Sequence, residues 1–249
     1  MAPKIPRNPY QNQILSGLDA FDLQVISPHL TLVKLAAKQR LELAGREVEV
    51  AYFIESGVAS VVATSRISKK QAEVGLIGFE GMTGLALVAG TTQSPHETVM
   101  QTDGTAHSID AKWLRQLMDR SPTMLARFAL YGISFHVQTG QALLANATGS
   151  VEQRLARWLL MAHDRLKAPG LPLTHESLSF MLGVRRPGVT IALQRLEALG
   201  LIEAARGVIT LTDRKKTLAF AGEFYGVPEA EYKRLFRLDP KMNPRQDDE

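Results

Sequence analysis

Between about residues 30 and 110, apolar residues come in short β-type runs divided by glycine. The runs are Val48–Ile54, Val58–Ala63, Ala72–Ile77, Glu97–Thr102 and Ala106–Ile109, with turns near Gly45, Gly57, Gly78–Gly84, Gly90 and Gly104. Many short strands with glycine turns at roughly ten-residue spacing predict an antiparallel sandwich or roll. Asp19–Leu30 reads as a small helix ahead of it.

After Trp113–Asp119 the period becomes helical. Ser121 is placed as an N-cap with Pro122 in the first turn, where its missing N–H does no harm. The helix is expected to run to about Asn146, roughly 25 residues or ~37 Å at the rise of an α-helix. From Phe128 to Val151 there is no Asp, Glu, Lys or Arg. A helix without charge on any face must be covered nearly all round, and one sheet covers a single stripe. Gly132 and Gly140 inside it are tolerated best where another backbone comes close. The simplest cover is the same helix of a second chain, through residues 122–146; a central helix of a monomer is the other possibility. The uncharged stretch is long enough to span a bilayer, but it carries His136, Gln138, Gln141, Asn146 and three glycines, so it is not read as a membrane span.

Ala147-Thr148-Gly149-Ser150 reads as a hinge, and Ser150 with Gln153 as a capping-box start for a helix over Val151–Leu166 ended by Ala168-Pro169-Gly170. Beyond it, Thr174 is an N-cap, Leu178, Met181 and Leu182 make an apolar i, i+3, i+4 face, and Gly183 stands at the break. Pro187 opens a second helix whose buried face is Val189, Leu193 and Leu196. Two short helices across a glycine turn, the second starting with Arg185 and Arg186, fit a helix-turn-helix. Gly200–Glu203 and Val208–Leu211 then read as a two-stranded wing turning at Ala205-Arg206-Gly207.

Charge adds to this picture. The 249 residues carry 29 Lys+Arg against 25 Asp+Glu, with an isoelectric point of about 9.4. Residues 1–148 hold 13 basic and 12 acidic side chains, whereas residues 150–220 hold 11 and 6. The excess therefore sits on the helix-turn-helix, as expected where phosphates are bound. The chain has no cysteine, which excludes a disulfide framework, a thiolate zinc site, a cysteine-ligated iron–sulfur cluster and a cysteine nucleophile. Its start has no apolar run behind the charges and is not read as a signal peptide.

A glycine-turn β-roll, a long uncharged helix, a hinge and a winged helix, in this order, resemble the Crp/Fnr family of bacterial transcription regulators over nearly the whole chain. The resemblance is most specific from Ser150 to Met161 and from Leu173 to Ile202. It implies an α+β fold: a jelly-roll-like sensor of the cyclic-nucleotide-binding type over 1–120, a dimerisation helix and hinge over 121–149 and a winged helix-turn-helix over 150–236; the polar, proline-containing tail over 237–249 is read as disordered. It also implies a cytoplasmic homodimer on a palindromic operator in double-stranded DNA, with RNA polymerase as a further partner and no membrane. Arg186 matches the family's guanine-reading arginine, whose guanidinium suits the O6 and N7 of that base. The usual glutamate after it is Pro187 here, and a later arginine is Ile191, so the family's usual half-site is not expected. Thr190 and Gln194, at i and i+4, supply further base contacts. Arg185, His175, Arg195 and Arg206 fit phosphate contacts, with Gly188 and Thr174 at the starts of the two helices.

Cyclic-nucleotide-binding members resemble one another in a Gly-Glu pair for the ribose and an Arg-Ser/Thr pair for the phosphate. The corresponding residues here are Gly81-Met82 and His96-Glu97-Thr98. Methionine is a poor acceptor and a neutral histidine a poor phosphate clamp, so the pocket is degenerate and cyclic AMP is not expected. No cofactor or metal is expected. Two other readings stay open: a protein-interaction or small-molecule or haem-sensing module of the same fold, and, more remotely, a cupin-like enzyme, which would need clustered ligands where His29, His96, His107 and His136 are widely spaced. No catalytic motif is found and the chain is not read as an enzyme.

Overall fold

The computed structural model describes residues 9–65, 67–68, 70–166, 170–205 and 207–236. The chain opens with two short helices, α1 (Gln13–Ser16) and α2 (Ala20–Ile26), the second followed by a 3-10 turn, Ser27–His29. Asn12 fixes this start: its side-chain oxygen caps α1 by accepting from the Ile14 and Leu15 N–H groups, while its amide donates to the carbonyls of Ile54 and Gly81.

Seven strands follow, interrupted by a single helical turn: β1 (Thr31–Leu35), β2 (Arg40–Glu42), β3 (Val50–Ser56), β4 (Ala59–Thr64), β5 (Gln71–Ile77), α3 (Leu85–Val88), β6 (Glu97–Met100) and β7 (Gly104–Asp110). They form two antiparallel sheets, β1-β7-β3 and β2-β6-β4-β5. Strands alternate their faces, and the inward side chains Leu35, Ile54, Val61, Ile77, Met100 and Ala106 meet between the sheets. The five strand runs read from the sequence are β3 to β7 within a few residues; β1 and β2 lack the glycine-bounded apolar run that marks the others.

Asp110 caps α4 (Ala111–Arg120), and Ser121 caps α5 (Pro122–Thr148) by accepting from the Met124 N–H. The same Ser121 hydroxyl donates to the buried Asp22 at 2.5 Å, tying the start of α5 to α2. One stripe of α5, including Met124, Phe128 and Tyr131, is buried against the roll. The opposite stripe is not covered: Ile133 is 52% and Leu143 70% exposed. Among the described residues nothing approaches Gly140, and a Cβ at Gly132 would meet only the Leu85 side chain, at 3.9 Å. The described part of this chain therefore does not supply the close backbone expected at these glycines.

Gly149 and Ser150 separate α5 from α6 (Val151–Leu166), where Ser150 and Gln153 exchange the two hydrogen bonds of a capping box. Then come β8 (Gly170–Pro172), α7 (His175–Leu182), α8 (Arg186–Ala198), β9 (Ile202–Ala205) and β10 (Val208–Leu211). The wing has three strands in the order β8-β10-β9; the three-residue β8 is too short to signal itself in the sequence. The chain continues into α9 (Arg214–Ala221), a 3-10 turn over Gly222–Phe224, and α10 (Val227–Leu235). Here the structure adds something the sequence did not suggest. After α9 the chain leaves the winged helix, and α10 packs on α5, where Tyr232 and Phe236 join the core of the roll. Among the described residues no helix is long and apolar enough to cross a membrane. The expected helix stop at 168–169, the wing residue Arg206 and the expected tail 237–249 lie outside the described residues.

Candidate nucleic-acid interface and sensor cavity

Thr174 starts α7 with a capping box: its hydroxyl accepts from the Ser177 N–H, and the Ser177 hydroxyl faces back toward the Thr174 backbone. Gly183 ends the helix in the left-handed region, φ +63°, which glycine enters without steric cost. The turn lets Leu178, Met181 and Leu182 of α7 share a core with Val189, Ala192, Leu193 and Leu196 of α8. Burying that stripe of α8 leaves Arg185, Arg186, Pro187, Ile191, Gln194 and Arg195 on its exposed side.

Arg186 sits 3.3 Å from Glu176, with 65% and 80% of the two side chains exposed. An ion pair so open to water holds a guanidinium weakly, and its donors are free to exchange partners. Thr190 is half-buried; its hydroxyl donates to the Arg186 carbonyl at 3.2 Å and lies 3.3 Å from the His175 ring. His175, Arg186 and Thr190 are thus brought together where the two helix starts meet, with Gln194 a turn further along α8. Thr174 is occupied by its cap, and Gly188 packs over Val184 in the first turn of α8. Glu176 was missed by sequence reasoning; the only signal for it is its place in the first turn of α7.

The roll presents a different kind of site. A cavity of about 380 Å³ opens between the β2-β6-β4-β5 sheet, α3 and α5, lined among others by Glu42, Met82, Leu85, His96, Phe135 and His136. Of the expected pocket residues, Met82 and His96 line it. Gly81 lies behind, where a side chain would collide with the Tyr131 hydroxyl, 2.1 Å from a Cβ. Glu97 is turned away and pairs with Arg40 at 2.7 Å. Thr98 is buried and donates to Glu42 at 2.5 Å. Glu42, which the sequence reading did not single out, lies 56 positions from Thr98, and only the β2–β6 pairing joins them. Burial raises the Glu42 pKa and lowers that of His96. Among the described residues no Lys or Arg lines the cavity.

A third set of charges lies where the winged helix meets the roll. Glu73 of β5 is half-buried and accepts from the Trp158 indole N–H at 2.7 Å and the Ser60 hydroxyl at 2.5 Å. Burial pushes its pKa up to about 7, against the pull of those donors and of Arg157 and Arg165. Nearby, Arg165 of α6 pairs with Glu80 at 2.7 Å, and Tyr232 of α10 donates to the Glu80 carbonyl.

Residues 153–217 match the Crp-like helix-turn-helix domain family. No curated protein matches the chain by sequence. Among solved structures it is similar to the c-di-GMP-responsive global regulator CLP of Xanthomonas campestris, at 19% identity and a TM-score of 0.64, over 78% of this chain and 100% of that one. A CRP/FNR-family transcriptional regulator of Thermus thermophilus gives 20%, 0.64, 78% and 100%. FixK2 of Bradyrhizobium japonicum gives 13%, 0.63, 77% and 96%. Fold and family match together define a winged helix-turn-helix that follows a jelly-roll-like domain and a long helix. The chain carries a Crp-like helix-turn-helix over residues 153–217, and its fold is that of solved Crp/Fnr-family regulators.

Proposed function

We propose that this protein binds a palindromic operator as a homodimer, laying α8 of each copy in the major groove. The observation that carries this reading is the exposed row Arg185, Arg186 and Gln194 on a helix whose opposite face is locked into the winged-helix core. Arg186 reads a guanine bidentately, and Thr190 and Gln194 contact neighbouring bases. Arg185, His175, Arg195 and Arg206 hold phosphates and set the register. Pro187 can accept no hydrogen bond from a base at the position beside Arg186, so the half-site differs from the one the family's usual glutamate reads.

The dimer is supported by the uncovered stripe of α5, where Ala129, Ile133, Gly140 and Leu143 follow one another at helical spacing on the side away from the roll. A second copy of α5 covers it, approaching closely at Ala129 and Gly140, and the two-fold axis then doubles the DNA site. The protein works away from the membrane, in the cytoplasm, as a regulator rather than an enzyme, and RNA polymerase is the further partner such a role calls for. Cyclic AMP is not its signal: the phosphate would enter a cavity with a carboxylate and, among the described residues, no Lys or Arg. A signal acts by differing in affinity for two dimer geometries, with the hinge at 147–150 between the sensor and the recognition helices.

Selection of bound fragments from genomic DNA at two salt concentrations tests this. The expected result is a palindromic motif whose affinity falls steeply with salt, as counterions are released from several phosphates. Weak, sequence-blind binding at both concentrations would overturn the reading.

A further inference from the structure

Among the described residues, Glu42 stands in the roll cavity without a countercharge. Its Oε1 accepts from the Gly84 N–H at 3.0 Å and its Oε2 from the Thr98 hydroxyl at 2.5 Å, both neutral donors. The guanidinium on the same strand, Arg40, faces Glu97 instead. Two histidines share the cavity, and burial holds His96 below its usual pKa, toward the neutral ring. Glu42 is half-buried, and a carboxylate partly withdrawn from water costs free energy that neutral hydrogen bonds offset only in part. Each of its oxygens keeps a further lone pair for a donor arriving from the cavity. The remaining wall is mostly apolar, with Val61, Ile77, Met82, Leu85 and Phe135.

We propose that this cavity binds a small organic cation, a primary ammonium on an apolar body, with the ammonium donating to Glu42 and the body lying against Met82, Leu85 and Phe135. The volume of about 380 Å³ falls in the range of small-molecule sites. The cation supplies the charge that the fold withholds, and an anion of the same shape meets only repulsion. His136 and Thr139 of α5 line the same space, so an occupant touches the helix that runs into the hinge. The role of this ligand as a signal rests on the DNA-binding reading above; the site itself does not.

Phenethylamine, phenethyl alcohol and phenylacetate, which share one apolar body, are the probes, titrated calorimetrically into the full chain at pH 7. The ammonium should bind about tenfold or more tightly than the alcohol, a difference of about 1.4 kcal/mol, and phenylacetate should not bind. Binding should shift the imidazole NMR signals of His96 and His136. Glu42→Gln keeps the shape and an acceptor for Gly84, and should erase the preference for the ammonium while leaving the alcohol's affinity unchanged. Equal or tighter binding of phenylacetate, no binding of phenethylamine, or an ammonium preference that survives Glu42→Gln would overturn the site. The three probes decide on the unaltered chain even where the variant fails to fold. Operator binding measured with and without phenethylamine separates the two readings. Specific DNA binding with no ammonium preference refutes the site alone, and an ammonium preference in a chain that binds no operator refutes the regulator alone.

Discussion

The exposed side of α7 and α8 and the seam between roll and winged helix both carry arginines and glutamates, but in opposite physical states. On the exposed side, Arg186 and Glu176 are mostly open to water and their contact at 3.3 Å exchanges readily with it. At the seam, Arg165 and Glu80 are nearly buried and meet at 2.7 Å, and Glu73 is held by an indole and a hydroxyl. The same residue types thus stay available to a partner where water leaves them free and serve architecture where burial commits them. A charge already satisfied inside the protein has nothing left to offer a phosphate or a base.

Substitutions at the two places should therefore separate cleanly. The largest effect is expected from Glu80→Ala, which leaves Arg165 buried without its partner and should cost about 3–5 kcal/mol of stability. Thermal unfolding would show it, and an unchanged melting temperature would mean that water reaches the seam. Arg186→Ala should leave the melting temperature alone and cost about 1–3 kcal/mol of discrimination at one base position. A uniform loss on every DNA sequence would instead make Arg186 a phosphate contact. Arg195→Ala should lower the salt slope of DNA binding by about one and leave the preferred sequence unchanged. The smallest effect concerns Glu73. Its pKa is raised in the folded chain, from 4.5 to about 7, so the stability it contributes is fully present below pH 4.5 and is lost as pH rises through 7. Stability measured between pH 5 and 8 should fall across that window, and Glu73→Gln should flatten that part of the fall. A pH profile identical in the variant would show that the carboxyl is ionised at the seam throughout.

Local signals carried much of the architecture. Ser121, Ser150, Thr174 and Gly183 declare helix ends through chemistry confined to three or four neighbours, and the structure places each in its expected cap or turn. The exposed row of α8 follows from a helical period with Val189, Leu193 and Leu196 on its inner side. What stayed hidden depends on distant pairing. Glu42 enters the cavity only because β2 joins β6, and Glu73 meets Trp158 across 85 positions. The docking of α10 on α5 is equally non-local: Tyr232 and Phe236 look like ordinary apolar positions of a terminal helix until Arg127 is found over the Phe236 ring at 4.9 Å.

That docking changes the mechanics of the molecule. The chain passes from roll to winged helix at the hinge and returns from it near Gly226, where α10 begins. A domain hung from one strand of backbone can swing through a cone, whereas one tied at two points turns about the line between them. The seam is a third attachment, with Val58 and Leu76 of the roll inside the winged-helix core and Arg165 on Glu80, so α8 turns about that line only if this packing is released as well.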